Sequence, residues 1–299
     1  MKNKLSVIFI LLSGALWGSS CLFVNKLTEW GFSSFECTAI RVFIGTLILN
    51  AAVMIGGIKR YKLSLASYGL CALSGICSVF AMCVFYYNCM TETSAAVSAI
   101  LLYTAPIFVM IMSVIFFKEK ITAKKIVAFC LAIVGCALVS GIASGVSMTP
   151  WGLLSGVASG FAYSLYGIIT AFFLKLNGGK GTLIFSALSF AFASVGACLT
   201  VNPVEIVRKA VAVGNLPLTV LFFICFGLCT AVLPYVFYTK GLERVRPDVA
   251  SILAFSEPLT AAVFGIFVLG QSFDVFQGLG IILVVGAIII LNISKKTQN

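Results

Sequence analysis

The chain has 299 residues, 61% of them hydrophobic and 10% charged, with a formal net charge of +11 and no histidine. Its mean hydropathy of +1.14 excludes an ordinary soluble domain, which is nearer half apolar and a quarter charged. The positive charges sit in short connections between long apolar segments, so they report membrane orientation and not a nucleic-acid partner.

Ten apolar segments follow one another along the chain, at about 5–24, 35–55, 65–88, 93–117, 122–140, 150–174, 180–200, 216–238, 247–268 and 274–293. The first has a basic start but is too long for the apolar core of a signal peptide, and is read as a retained helix. The longest connection, around 202–215, contains Pro203, Glu205, Arg208 and Lys209 and is a candidate surface helix. Alternating the connections places Lys2, Lys4, Lys59, Arg60, Lys62, Lys118, Lys120, Lys124, Lys125, Lys175, Lys180, Lys240, Arg244, Arg246, Lys295 and Lys296 on one side. Only Lys26, Arg208 and Lys209 fall on the other, and Arg41 lies within a span. That asymmetry makes the basic side cytoplasmic, with both termini on it.

An internal repeat runs through the chain. A shift of 152 residues lays Gly75 on Gly227, Cys77 on Cys229, Val84-Phe85-Tyr86 on Val236-Phe237-Tyr238, and Pro106 on Pro258. Earlier, a shift of 142 lays Leu12-Ser13-Gly14 and Gly18 on Leu154-Ser155-Gly156 and Gly160. Five spans per half is an odd number, so the second half enters the membrane from the opposite side. The expected fold is an all-α integral membrane protein: ten transmembrane helices in two five-helix inverted repeats, 1–145 and 146–299, forming one membrane domain.

The ninth segment carries Ser256-Glu257-Pro258 near its middle. A carboxylate at that depth costs about 2.5–3.5 kcal/mol. The proline removes a backbone donor and opposes the carbonyl of Ala254, which must find another partner because lipid offers none. One reading is a kinked helix with a neutral acid bonded to its neighbour. The other, preferred, is a site on a water-filled cavity.

Further candidates stand beside it. Arg41 can snorkel to the outer surface, hold a substrate carboxylate, or partner Glu257. Trp17, Tyr103, Tyr163 and Tyr235 lie deep, and each polar tip needs a partner or water; they are candidate cavity lining, with Ser13 and Asn88 weaker. Tyr86, Tyr87 and Tyr238 lie near segment ends and suit an interfacial belt. Gly14, Gly18, Gly152, Gly156 and Gly160 let helices approach closely. The first reading is packing; the second makes Gly14, Gly18, Gly156 and Gly160 a moving contact. Pro106 and Pro258 are candidate hinges flanking the cavity. The eleven cysteines lie almost wholly within apolar segments and act as small hydrophobes; without histidine no metal site is expected. The glycine-rich turn Gly178–Thr182 lacks the spacing of a phosphate loop, so no ATPase and no cofactor are expected.

The series Ala15-Leu16-Trp17-Gly18, Ala39-Ile40-Arg41, Tyr103-Thr104-Ala105-Pro106, Lys118-Glu119-Lys120-Ile121 with Gly135, Glu257-Pro258, and Leu269-Gly270-Gln271 with Gly278 resembles the ten-helix EamA-type branch of the drug/metabolite transporter superfamily. The family commonly has an acid where Gln271 stands, so the second half departs from pattern there. The resemblance implies a secondary carrier in the cell membrane for small metabolites, often amino acids or their relatives, and often an exporter. Its partners would be a small-molecule substrate and membrane lipid, with the proton as candidate coupling ion. A passive channel would need a continuous polar path, and an intramembrane enzyme would need paired reactive groups. Both fit the scattered polar residues less well than a carrier does.

Overall fold

The computed structural model describes residues 2–93, 95–139, 149–270 and 275–293. Gln271, Lys295, Lys296 and the junction between the two expected halves lie outside them. Among the described residues there is no strand. The helices are α1 (Lys4–Glu29), α2 (Ser34–Ile55), α3 (Leu65–Glu92), α4 (Val97–Phe117), α5 (Ala123–Val139), α6 (Pro150–Leu176), α7 (Thr182–Cys198) and α8 (Pro203–Ala212). The last three are α9 (Leu216–Leu242), α10 (Pro247–Phe267) and α11 (Val275–Ile293).

Each of the ten apolar segments coincides with a helix, but seven are long and apolar enough to cross a membrane alone, or eight if α7 and α8 count as one bent span. For α5 and α7 the shortfall is one of length. Both α5 and α7 have 17 residues, about 25 Å at 1.5 Å per residue, against a hydrocarbon core of about 30 Å. Between 202 and 215 the candidate surface helix is present: α8 turns 87° away from α7.

Local chemistry sets the boundaries. Ser33 caps α2 reciprocally: its Oγ accepts from the Glu36 N–H, while the Glu36 carboxylate accepts from the Ser33 N–H. Thr149, Asn202 and Asn215 each cap a helix whose first or second residue is proline. At the end of α4, Lys118 adopts φ +53°, a left-handed conformation that costs a non-glycine side chain and turns the chain sharply into Glu119 and Lys120.

Five helices are interrupted at mid-length: α1 at Ser19, and four others whose interruptions match in pairs. The α-helical pattern of α4 breaks at Tyr103-Thr104 and that of α10 at Ala254-Phe255, just before Pro106 and Pro258. The Ala254 carbonyl left open by the proline accepts from the Glu257 N–H at 2.9 Å, so a tighter turn supplies the missing partner. A π-helical stretch occupies Ser74–Phe80 in α3 and Leu228–Val232 in α9. The two overlap under the 152-residue shift.

Packing follows the same pairing. Helices α5 and α11 lie side by side, with Gly135 against the Gly280 carbonyl, and α2 lies along α7. The α3–α6 contact is matched by α9–α1, and α4–α6 by α10–α1. The main buried cluster joins Ile10 and Trp17 of α1 to Tyr166 and Phe173 of α6, Phe185 and Phe190 of α7, and Tyr235 and Tyr238 of α9. Side chains from both halves therefore share one core.

Candidate functional site

The glycines of α1 bring that helix against the broken part of α10. A Cβ on Gly14 would collide with Ser256 Oγ and lie 3.0 Å from the Ala254 carbonyl; one on Gly18 would collide with the Glu257 carbonyl. The Ser256 hydroxyl donates to the Leu11 carbonyl at 3.0 Å. In the matching place on α6, a Cβ on Gly160 would lie 2.7 Å from Thr104 Oγ1 and 2.8 Å from the Leu101 carbonyl, and Gly156 packs on Leu101 and Cys89. Each break is thus held by a backbone-close glycine face. Gly152 meets Glu92 and Thr93 instead.

Above these contacts lies a cavity of about 470 Å³, bounded by α1, α2, α3, α4, α6, α9 and α10, within the size range of small-molecule sites. Trp17, Arg41, Tyr103, Tyr163, Tyr235 and Glu257 all line it. The cavity rises past Asn25, Ser34, Met90 and Leu269, residues at the helix ends remote from the Lys118–Lys125 turn. It narrows toward the opposite face, where Trp17 stands edge-on to Tyr163 and Tyr235 at centroid distances of 6.1 and 5.2 Å. Tyr166 and Tyr238 pack beneath, with Tyr166 perpendicular to Tyr235 at 4.9 Å. Two ring edges on one indole form an aromatic floor to the cavity.

Two opposite charges share this wall. The Arg41 guanidinium contacts Cys83 Sγ at 3.5 Å, its Nε is buried without a hydrogen-bond partner, and among the described residues it makes no ion pair. Glu257 lies near the Tyr163 hydroxyl and close enough to Arg41 for the charges to interact. The buried guanidinium keeps an idle donor and forms no ion pair with Glu257, although both line the cavity. Trp17 Nε1 is a second idle buried donor.

Arg41 lines the cavity. Some expectations do not hold. Ser13 is fully buried outside the cavity, donating to the Ile10 carbonyl at 2.7 Å; a helical serine commonly spends its hydroxyl this way. Asn88 does not line the cavity either, while its neighbours Tyr86 and Tyr87 do. Those two were expected at the interface, as was Tyr238, which is buried under Trp17. The Tyr87 hydroxyl accepts from Thr38 Oγ1 at 2.8 Å, fixing it against α2. Cys21, Cys37, Cys83, Met82 and Met90 also line the cavity and carried no polar signal that would single them out. Pro106 lies in a smaller void with Tyr103, Tyr163 and Phe255, at the edge of the site and not within it.

The sequence pattern of the EamA-like transporter family matches this chain twice, at residues 4–141 and 150–293. The chain belongs to the EamA-like transporter family. It is a membrane transporter and a multi-pass protein of the cell membrane. Three similar curated proteins are each named an uncharacterized transporter. One from Clostridium kluyveri is 25% identical over 99% of this chain and 96% of its own. Another, from Archaeoglobus fulgidus, is 25% identical over 94% of each. YwfM of Bacillus subtilis is 24% identical over 100% and 97%. A solved crystal structure superposes with a TM-score of 0.77 over 98% of this chain and 99% of its own, at 15% identity, and so shares the fold. Both matches to the EamA-like pattern end near the helices that pair across the molecule, α5 and α11.

Pro106 and Pro258 sit just beyond the two breaks, and proline is a common site of helix flexion. Pro106→Ala and Pro258→Ala are expected to slow transport severalfold while changing substrate affinity less than twofold. Initial-rate measurements over a concentration series would show this; parental rates in both variants would leave the prolines a packing role only.

Proposed function

We propose that this EamA-like protein is a secondary active carrier for small zwitterionic metabolites, amino acids or their relatives, working by alternating access between two inverted five-helix halves. The halves are residues 1–145 and 146–299. The reading is supported above all by Arg41 and Glu257, which face one cavity without pairing to each other. A substrate carboxylate would take the planar fork of Arg41, and Glu257 would either carry the coupling proton or take the substrate ammonium. Met82, Met90, Leu102, Tyr86 and Tyr103 would surround the rest of the molecule. Gly18 belongs to the same wall, so a movement of α1 against α10 reshapes the site.

Ten spans, with the Lys118–Lys125 turn and both termini in the cytoplasm, follow from the distribution of lysine and arginine. In that orientation the cavity is open to the outside and closed below by the aromatic floor. Exchange of the matched breaks and π-turns between the two halves would open it to the cytoplasm instead. Export is the direction the resemblance implies. A passive pore is disfavoured by the closed floor.

Counterflow tests the reading. Vesicles containing the purified protein and a high concentration of unlabelled amino acid should transiently accumulate the labelled compound above its external level. Arg41→Gln should raise the half-saturating concentration about 10- to 100-fold, because a charged hydrogen bond contributes about 1.5–3 kcal/mol. Labelled influx that ignores the internal amino acid would mean a pore, and the carrier assignment would be wrong.

A further inference from the structure

The face opposite the cavity mouth carries a buried ionic cluster that none of the site chemistry uses. Lys125, at the start of α5, is 4% exposed and Asp248, at the start of α10, is 2% exposed. The Lys125 ammonium donates to Asp248 Oδ2 and, at 3.0 Å, to the Lys120 carbonyl. Asp248 Oδ1 accepts from the Val249 N–H at 2.8 Å and lies 3.7 Å from Arg246 Nε. Glu119 joins from the turn after α4: its Oε2 is 3.4 Å from Arg246 Nε and 3.9 Å from Lys125 Nζ. Two cations and two carboxylates therefore tie the α4–α5 turn of the first half to the entry of α10 in the second.

The internal repeat shows that this tie is one-sided. Under the 152-residue shift Glu119 corresponds to Gln271, Asp248 to Ala96 and Arg246 to Ser94. Lys125 corresponds to Gln277, or to Phe276 with the one-residue slip seen beyond Ile121. None of the four charges has a charged counterpart. If the two half-conformations exchange, an ionic bond available at one face alone must favour the arrangement in which that face is shut.

Resting on the carrier reading above, we propose that Lys125, Asp248, Glu119 and Arg246 form a latch that holds the basic face closed. The latch biases the empty carrier toward the conformation open at the opposite face. A buried pair of this kind contributes little to net stability but is costly to break one partner at a time, which suits a switch. Its strength follows pH through Glu119. The charged groups within reach of that carboxyl are Lys125 from α5 and Arg246 and Asp248 from α10. Burial first, and Asp248 second, raise Glu119 to about 7. In the open latch the carboxyl is hydrated and returns toward 4.5. The closed form thus binds the proton more tightly, so the latch is firm below neutrality and loosens as pH rises through about 7.

Cys21 lines the open cavity and reports the bias. In a background with Cys21 as the only cysteine, a small impermeant methanethiosulfonate applied at the cavity-mouth face reads the open fraction as a labelling rate. Asp248→Asn should lower that rate severalfold, and the swapped pair Lys125→Glu/Asp248→Lys should recover most of it. Arg246 is half-exposed, so Arg246→Gln tests the latch without burying a new group and should give a smaller fall. Raising the pH at the basic face from 6 to 8, with the labelling side held at 7, should also slow labelling, and Glu119→Gln should flatten that response. Should Asp248→Asn fail to assemble, Arg246→Gln and the pH series decide. Labelling rates equal to the parent's in the folded variants, with a flat pH series, overturn the latch. Equal labelling of parental Cys21 from both faces would instead remove the carrier reading on which it rests.

Discussion

Glu257→Gln is expected to abolish accumulation driven by a pH gradient while leaving exchange at equal concentrations in place. Glutamine keeps the size and the hydrogen bonding of the acid but has no proton to give up. The site makes this separation possible. Glu257 lies beside the α10 break, on the wall of a cavity closed below, with Tyr163 near and Arg41 across from it. A carboxyl so placed meets water only from the cavity side, and the exchange of half-conformations would present it to the two faces in turn. If Glu257 instead holds a substrate ammonium, the same change should weaken binding of zwitterions at least tenfold and leave the pH response of the residual flux intact. Proton-driven uptake and equilibrium exchange, measured in the same vesicles, separate the two roles. Full gradient-driven transport at full affinity would make the carboxylate structural and remove it from the site.

The second large effect is steric. Gly18→Leu should all but eliminate folded, active carrier. A Cβ at Gly18 overlaps the Glu257 carbonyl and lies 2.8 Å from Thr260 Cβ and 2.9 Å from the Ala261 nitrogen. Two of those three neighbours are backbone and cannot rotate away. Overpacking of a yielding core costs about 1–3 kcal/mol, and this contact does not yield. Helix α1 would have to leave α10, opening the wall that holds Glu257. Gly69→Ala is the matched control, since nothing lies within 4 Å of a Cβ there. Membrane abundance and the thermal midpoint in detergent would show the contrast; a Gly18→Leu protein as abundant and stable as the parent would mean the α1–α10 contact is looser than described.

How far these features can be read from residues alone depends on what interrupts the helices. The apolar runs mark all ten helices because lipid and protein interior impose the same demand on them. The two prolines locate the breaks in α4 and α10, and the depth of Trp17, Tyr103, Tyr163, Tyr235, Arg41 and Glu257 brings them to one cavity. Facing is harder. The π-helical stretch at Ser74–Phe80 inserts extra residues into the turns of α3, so the helix beyond it is rotated relative to an uninterrupted one. Beyond it, Tyr86 and Tyr87 reach the cavity and Asn88 does not. Ser13 fails for a different reason, since its hydroxyl is already satisfied within α1. Neither π-stretch carries a marker residue comparable to proline, so this rotation has no signature in the chain. The ionic cluster is hidden in another way: Lys125 and Asp248 read as two ordinary loop charges until folding places them in contact.

The interleaving of the two halves has a cost in time. Helix α1 emerges first from the ribosome, yet the carbonyl of Leu11 finds its partner in Ser256, 245 residues later. At about 5–20 residues per second, that interval is about 10–50 s. Throughout it the small-residue face of Gly14 and Gly18 has no α10 to meet, while Trp17 waits first for Tyr163 and then for Tyr235. Contacts this distant in sequence also slow the search for the final arrangement. A nascent chain of this kind spends most of its synthesis as a set of inserted but undocked helices, and its exposure to membrane proteases and insertion chaperones is set by how late α10 arrives.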